Sequence, residues 1–340
     1  MELLVIESRE AGQRLDKYLS RYLPQAPKSF LYKMLRKKNI TVNGKKCDGS
    51  EKLVSGDELR LFLSEETLRT FKGKSLSQAT QAAGHISPAR DRILYEDDHI
   101  LLFDKPAGML SQKAAPGDVS AVEYVLSYLA HSGTLSEESY RRLHPSVCNR
   151  LDRNTSGILI VGKTMTGLQA MSAVLKDRSL HKDYLCYVCG HVTGPQHIRG
   201  YLMKDERKNQ VRIVPDACPD SQPVETWYTP LSVGRSGSHT LTLLRVRLVT
   251  GRTHQIRAHL ASIGHPVTGD YKYGLRPVND YYKKNLGLTH QLLHAWRLAF
   301  PEIRGELSYL SGREFTAPLP EIFSRVETMP AADDRSRHIR

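Results

Sequence analysis

The sequence has no run of about 18 consecutive apolar residues, the length a membrane-spanning helix requires. Its start, MELLVIESREAG, carries an acidic residue at position 2 and no basic stretch before an apolar one, so it does not read as a secretory signal. The expected setting is the cytoplasm, with no membrane partner. Cysteine is scarce as well: five residues, odd in number and scattered, form no disulfide framework. Cys186 and Cys189 do make a C-x-x-C, but it lies inside KDYLCYVCG, a segment with the composition of a strand. A zinc site would want a second such pair and a redox site a helix start, and neither is there. No internal repeat stands out. What the chain lacks least is positive charge: 49 Lys and Arg against 36 Asp and Glu give a net +13. Such a balance favours a polyanionic partner, usually nucleic acid, because each neutralised phosphate releases counterions.

The charge is unevenly placed. Residues 12–64 form a candidate module that begins with RLDKYLSRY, in which Leu15, Tyr18, Leu19 and Tyr22 share one helical face. A second helix over Ser29 to Lys38 repeats the pattern with Phe30, Leu31, Met34 and Leu35, and Ser29 suits its N-cap. ITVNGKK then predicts a hairpin turning at Asn43-Gly44, and SGDELRLFL a closing strand. Lys28, Lys33, Arg36, Lys37, Lys38 and Lys45 follow one another with no acidic residue among them. This order of features resembles the S4 RNA-binding domain, which implies RNA contact by those six residues. Residues 65–90 are polar and aperiodic and predict a linker. A second domain is expected over 91–326, and a disordered tail over 327–340.

Two motifs point to chemistry that their context argues against. Gly157-ILIV-Gly162-Lys163-Thr164 matches the phosphate-loop pattern of an NTPase, yet its four inner residues are those of a buried strand, not of a loop that wraps phosphates. His290 and His294 stand four apart, a spacing that places two metal ligands on one helix face, but no third ligand accompanies them. No metal is expected.

A third segment differs. Asn149-Arg-Leu-Asp-Arg-Asn-Thr-Ser-Gly157 sets a carboxylate, two arginines and turn-forming residues directly before a buried strand, which is where scaffolded loops carry catalytic groups. Farther on, VRLVTG predicts a strand and HQIRAHLASIG a helix, with Arg252 ahead of the helix start and Arg257 within it. A helix start with arginines around it attracts anions. These segments, with Lys182-Asp-Tyr184, Gly251-Arg-Thr-His-Gln-Ile-Arg257-Ala-His259, Gly269-Asp270, Tyr273-Gly274 and Leu293-His-Ala295, resemble in order the RluA-type pseudouridine synthases. The resemblance spans about residues 93 to 325. Asn149 departs from it, since a His usually precedes the Arg-Leu-Asp.

The resemblance implies an α+β chain: the small S4-like domain, then a catalytic domain with a mixed, largely antiparallel sheet and flanking helices. It implies isomerisation of uridine to pseudouridine in structured RNA, with ribosomal RNA of the large subunit favoured over transfer RNA. Asp152 is then the catalytic carboxylate, Arg257 the cation that keeps it ionised, and Tyr184 the ring beneath the flipped uracil, as stacker or as general base. Arg150 and Arg252 become phosphate or orienting residues, and Leu298 a wall of the uracil pocket. No cofactor and no obligatory protein partner is implied. The rival from another class is a non-catalytic RNA-binding or ribosome-assembly factor that uses only the basic surfaces; a phosphate-loop NTPase is more remote.

Overall fold

The Leu15, Tyr18, Leu19, Tyr22 stripe buries all four side chains in the computed structural model, which describes residues 1–81, 90–115, 117–205 and 210–331. Helix α1 (Leu15–Tyr22) shares a hydrophobic core with α2 (Lys28–Arg36) and a four-stranded antiparallel sheet. Its strands are β1 (Glu2–Val5), β2 (Ile40–Val42), β3 (Lys45–Lys46) and β4 (Glu58–Leu61), in the order β1-β4-β2-β3. Asn43 and Gly44 both take positive φ, 51° and 71°, the turn that matches the twist of a two-residue hairpin. The module begins earlier than position 12, because β1 pairs with β4 along its whole length. Helix α2 also starts two residues sooner than a Ser29 cap would allow. Pro27 stands at its cap, and Ser29 lies inside the first turn.

The stretch expected as a linker holds two short helices, α3 (Glu65–Phe71) and α4 (Leu76–Thr80), each capped by a serine, Ser64 and Ser75. Leu68 joins the core of the small module and Leu76 that of the large domain, so the segment is packed at both ends. Residues 82–89 lie outside the described residues. The two domains also touch directly: Arg142 Nη1 donates to the Val5 carbonyl at 3.0 Å, and Gln169 Nε2 to that of Gly12 at 2.9 Å.

Beyond Ile93 the strands build one sheet of eleven strands. In chain order they are β5 (Ile93–Glu96), β6 (Ile100–Lys105), β7 (Ser146–Val147), β8 (Ser156–Gly162), β9 (His181–Cys189), β10 (Gln196–Asp205), β11 (Gln210–Val214), β12 (Gln222–Ser236), β13 (His239–Leu248), β14 (Leu293–Ala299) and β15 (Glu314–Thr316). The main path runs β11-β10-β12-β13-β9-β14-β8-β6-β5, with β7 on β8 and β15 on β14. All pairs are antiparallel except β8 with β14, so the sheet is mixed and largely antiparallel. Helices α5 (Ala121–His131), α6 (Glu137–Arg142) and α8 (Gln255–Ser262) share one core with the sheet. Helix α7 (Met165–Lys176) shares another, and α9 (Arg276–Leu286) and α10 (Glu321–Glu327) close a third.

Strand β8 explains the false phosphate loop. All seven of its residues are buried, and a Cβ on Gly157 would collide with the backbone of Ala295 on β14. The glycine permits close strand approach, and the loop reading fails. The His290 and His294 pair fails too, because His294 belongs to strand β14 and no helix joins the two. Cys186 and Cys189 are buried strand residues of β9. After α10, Met329 is still packed against the core, so order extends past 327; residues 332–340 lie outside the described residues.

Candidate active site

Hydrogen bonds from two sides anchor the loop ahead of β8. Ser111 Oγ accepts from the Leu151 backbone N–H and donates to the Leu151 carbonyl, both at 2.9 Å. On the other side Lys105, fully buried, donates to the carbonyls of Arg153, Pro106 and Met109 at 3.0, 2.9 and 2.8 Å. Burial pushes the Lys105 ammonium down to about 7, while the charges of Asp152 and Asp104 act against that shift. Between these anchors sits Asp152, whose carbonyl accepts from Thr155 N–H at 3.0 Å to close the turn. Its carboxylate is about a quarter exposed, at 24%. Asn149 lies upstream with its Oδ1 taking the Ile160 N–H of β8 at 2.8 Å. The departure from the family pattern is therefore absorbed as a strand hydrogen bond.

Arg257 meets Asp152 from the first turn of α8. Its Nη1 donates to Asp152 Oδ2 at 2.9 Å, while Nε and Nη2 grip both oxygens of Asp270 at 2.6 and 2.9 Å. A planar guanidinium fork fits this double task, and a lysine would not. The Tyr273 ring packs 5.1 Å from the guanidinium carbon, adding a cation–π contact. Burial alone would lower the pKa of Arg257; the bonds and charge of Asp270, with the charge of Asp152, override it and raise the pKa above its ordinary value. Asp270 is itself nearly inaccessible and also accepts from the backbone N–H groups of Lys272 and Tyr273 at 2.9 and 3.2 Å.

His254 completes the contacts around Asp152. It caps α8 with φ at 53°, a left-handed conformation uncommon for a residue with a side chain. Its Nδ1 lies 2.9 Å from the Tyr273 hydroxyl and its Nε2 3.9 Å from Asp152 Oδ2. Burial lowers its pKa against the pull of Asp152, favouring a neutral ring.

These groups open into a cleft of about 610 Å³ that Tyr184 from β9 also lines. Tyr184 is buried, and burial together with the nearby Asp152 carboxylate raises its pKa, so the phenol stays protonated. Leu248, Ile256 and Leu293 supply an apolar wall. Arg150, Arg153 and Arg252 line the mouth, exposed, and none has an ion-pair partner among the described residues. The cleft thus sets one accessible carboxylate, held by a buried cation, beside an aromatic ring and inside a cationic rim. That arrangement can receive a flipped base while its phosphates stay outside.

Leu298 is a correction. It packs with Leu102, Ile158, Ile160 and Met171 in the core beneath α7 and does not line the cleft. Leu293, at the other end of β14, stands at the cleft instead. Sequence reasoning assigned no role to Lys105, His254, Asp270 or Tyr273. The last three lie in the quoted motifs, and Gly269-Asp270 carried the signal of a turn carboxylate without saying what it would grip.

On the small domain, Lys28, Lys33, Arg36, Lys37, Lys38 and Lys45 are all exposed, and none forms an ion pair among the described residues. Reversing Lys33, Arg36 and Lys37 to Glu is expected to weaken RNA binding and flatten its salt dependence. Each lost phosphate contact should lower the slope of log affinity against log salt by roughly 0.7 to 0.9. Titration at several salt concentrations measures this, and an unchanged slope would make the face a merely solvated one.

Both domains of the chain are similar to known proteins. Residues 99–262 match the family model described as RNA pseudouridylate synthase, and residues 13–59 that of the S4 domain. Ribosomal large subunit pseudouridine synthase C of Salmonella typhi is 32% identical over 305 residues, which cover 88% of each chain. The protein of the same name from Vibrio vulnificus is 29% identical over 330 residues, 96% of this chain and 95% of that one. Among solved structures, human RNA pseudouridylate synthase domain containing 4 aligns with a TM-score of 0.54 at 19% identity, over 73% of this chain and 95% of that one, a likeness of fold.

Proposed function

The chain belongs to the RNA pseudouridylate synthase family, and from that premise we propose that it isomerises uridines of large-subunit ribosomal RNA with Asp152 as the catalytic carboxylate. In this reaction the N1–C1′ bond breaks, the uracil turns, and C5 bonds to C1′. C5 loses a proton and N1 gains one, so composition is unchanged and no cofactor is called for. The observation that carries the reading is the 2.9 Å contact of Arg257 with an accessible Asp152 carboxylate inside the cleft.

A base inside a helix or folded loop must leave its stack to reach Asp152. The cleft, with Tyr184 on its floor, offers the ring that replaces the lost stacking. The carboxylate then attacks the sugar or the base, held in place by its bond from Arg257. Arg150 and Arg252 are the groups on which the flanking phosphates rest. Large-subunit ribosomal RNA is chosen over transfer RNA on the printed names of the relatives. Pseudouridine mapped across total RNA from cells with and without the gene tests the whole. The expected result is loss at one or a few uridines of large-subunit RNA; loss confined to transfer RNA, or no loss, overturns the assignment.

Tyr184 makes a second test. The protonated phenol is a poor base as it stands, so the ring's stacking should dominate. Phe keeps the ring and Leu removes it, and stacking on one base is worth about 1–3 kcal/mol. Tyr184→Leu is therefore expected to lose more single-turnover activity than Tyr184→Phe. Equal, near-normal rates for both would remove Tyr184 from the site.

A further inference from the structure

A second hollow lies on the same sheet. It holds about 450 Å³ and is lined by Arg178, Leu180, His181, Trp227, Arg245 and Arg247 among others. Leu248, the last residue of β13, lines both this hollow and the catalytic cleft, so the two meet at the strand's end.

Trp227 is 46% exposed, an unusual state for so large an apolar ring on a regular strand. Its cross-strand neighbours are His197 on β10 and Arg247 on β13. His197 stacks flat on one face of the indole, with centroids 3.7 Å apart and planes within 8°. The imidazole is held in turn by Glu225, whose Oε1 lies 2.8 Å from His197 Nε2. A ring stacked on its β10 neighbour turns its other face towards β13 and the hollow. No cation covers that second face among the described residues.

The charge of the hollow is one-sided. Arg178 and Arg245 are exposed and have no ion-pair partner among the described residues. Arg247 is anchored through Nε to the buried Asp183 at 3.0 Å, which leaves its terminal nitrogens free to face the hollow. Asp183 is also neutralised by Arg297 Nη1 at 2.7 Å, so it does not offset the exposed arginines. A rigid aromatic platform inside a cationic wall is the arrangement that holds a single-stranded nucleotide: the base stacks, and the phosphates meet arginine. We propose that Trp227 is the stacking platform for a nucleobase flanking the target uridine, with Arg178, Arg245 and Arg247 as its phosphate contacts. The inference rests on the RNA-modifying reading above and deepens it: substrate RNA runs from the cleft over the end of β13.

The chain has only two tryptophans, and Trp296→Phe leaves Trp227 as the sole indole. In that variant, an in-vitro transcript of large-subunit ribosomal RNA should quench indole emission along the same titration curve as binding. Trp227→Ala should weaken affinity by about 5- to 150-fold, and Trp227→Phe by much less. Bound transcript without quenching, together with full affinity in Trp227→Ala, overturns the proposal. So does full RNA affinity in a Trp227→Ala variant whose oligomeric state has changed, which would mark a protein interface. Pseudouridine formed by the unaltered chain on the same transcript separates the two readings. Product without quenching removes the platform alone, and quenching without product leaves the platform and removes the catalytic reading.

Discussion

Replacing Asp152 with Asn is expected to abolish pseudouridine formation while the fold and RNA binding persist. The amide fills the same volume and can still accept from Arg257 Nη1 through its oxygen, so the local geometry survives. The negative charge and the nucleophilic oxygen do not. Removing a nucleophile from a catalytic unit costs on the order of ten-thousand-fold or more in turnover. Stability should move little, because Arg257 keeps both of its bonds to Asp270 and is not left as a bare buried cation. A change of about 1 kcal/mol corresponds to a few degrees in Tm for a chain of this size. The measurement is single-turnover conversion with saturating enzyme, alongside RNA affinity and Tm. Conversion near the wild-type rate would take Asp152 out of the chemistry.

How far the sequence foretold this site depends on the kind of order each part needed. Leu15, Tyr18, Leu19 and Tyr22 were legible because a helical period is a local property. Asp152, Tyr184 and Arg257 were legible as separate motif positions, and the cleft that joins three distant segments follows from the sheet order that no local pattern states. Leu298 shows the limit. Its place depends on which core the far end of β14 meets, and that follows from sheet order rather than from the residues around it. His294 shows a related one: HQLLH fits a helix as well as a strand, and only pairing on both sides, with β8 and β9, decides for the strand. Lys105 was silent for a third reason. A buried ammonium gripping three carbonyls is a tertiary event, and the sequence around it reads only as the end of a strand and a turn.

Arg257 is the residue where stability and chemistry should separate under test. Arg257→Met strips both guanidinium bonds from Asp270, a carboxylate with 1% of its side chain exposed. Two backbone N–H bonds remain to it, too few to offset a buried charge without its cation. Breaking one side of a buried pair costs about 3–5 kcal/mol. A second change, Asp270→Asn on top of Arg257→Met, removes the stranded charge and should restore much of the lost stability at neutral pH. It should not restore turnover, because Asp152 still lacks its guanidinium partner in the cleft. Arg257→Lys keeps a positive charge but has no fork to reach both carboxylates, and should fall between wild type and Met in stability and rate. Denaturation midpoints and single-turnover rates on the same four proteins decide the matter. Recovery of activity with stability in the double variant would mean that Arg257 serves only to neutralise Asp270. Recovery of stability alone assigns the 2.9 Å contact with Asp152 to catalysis.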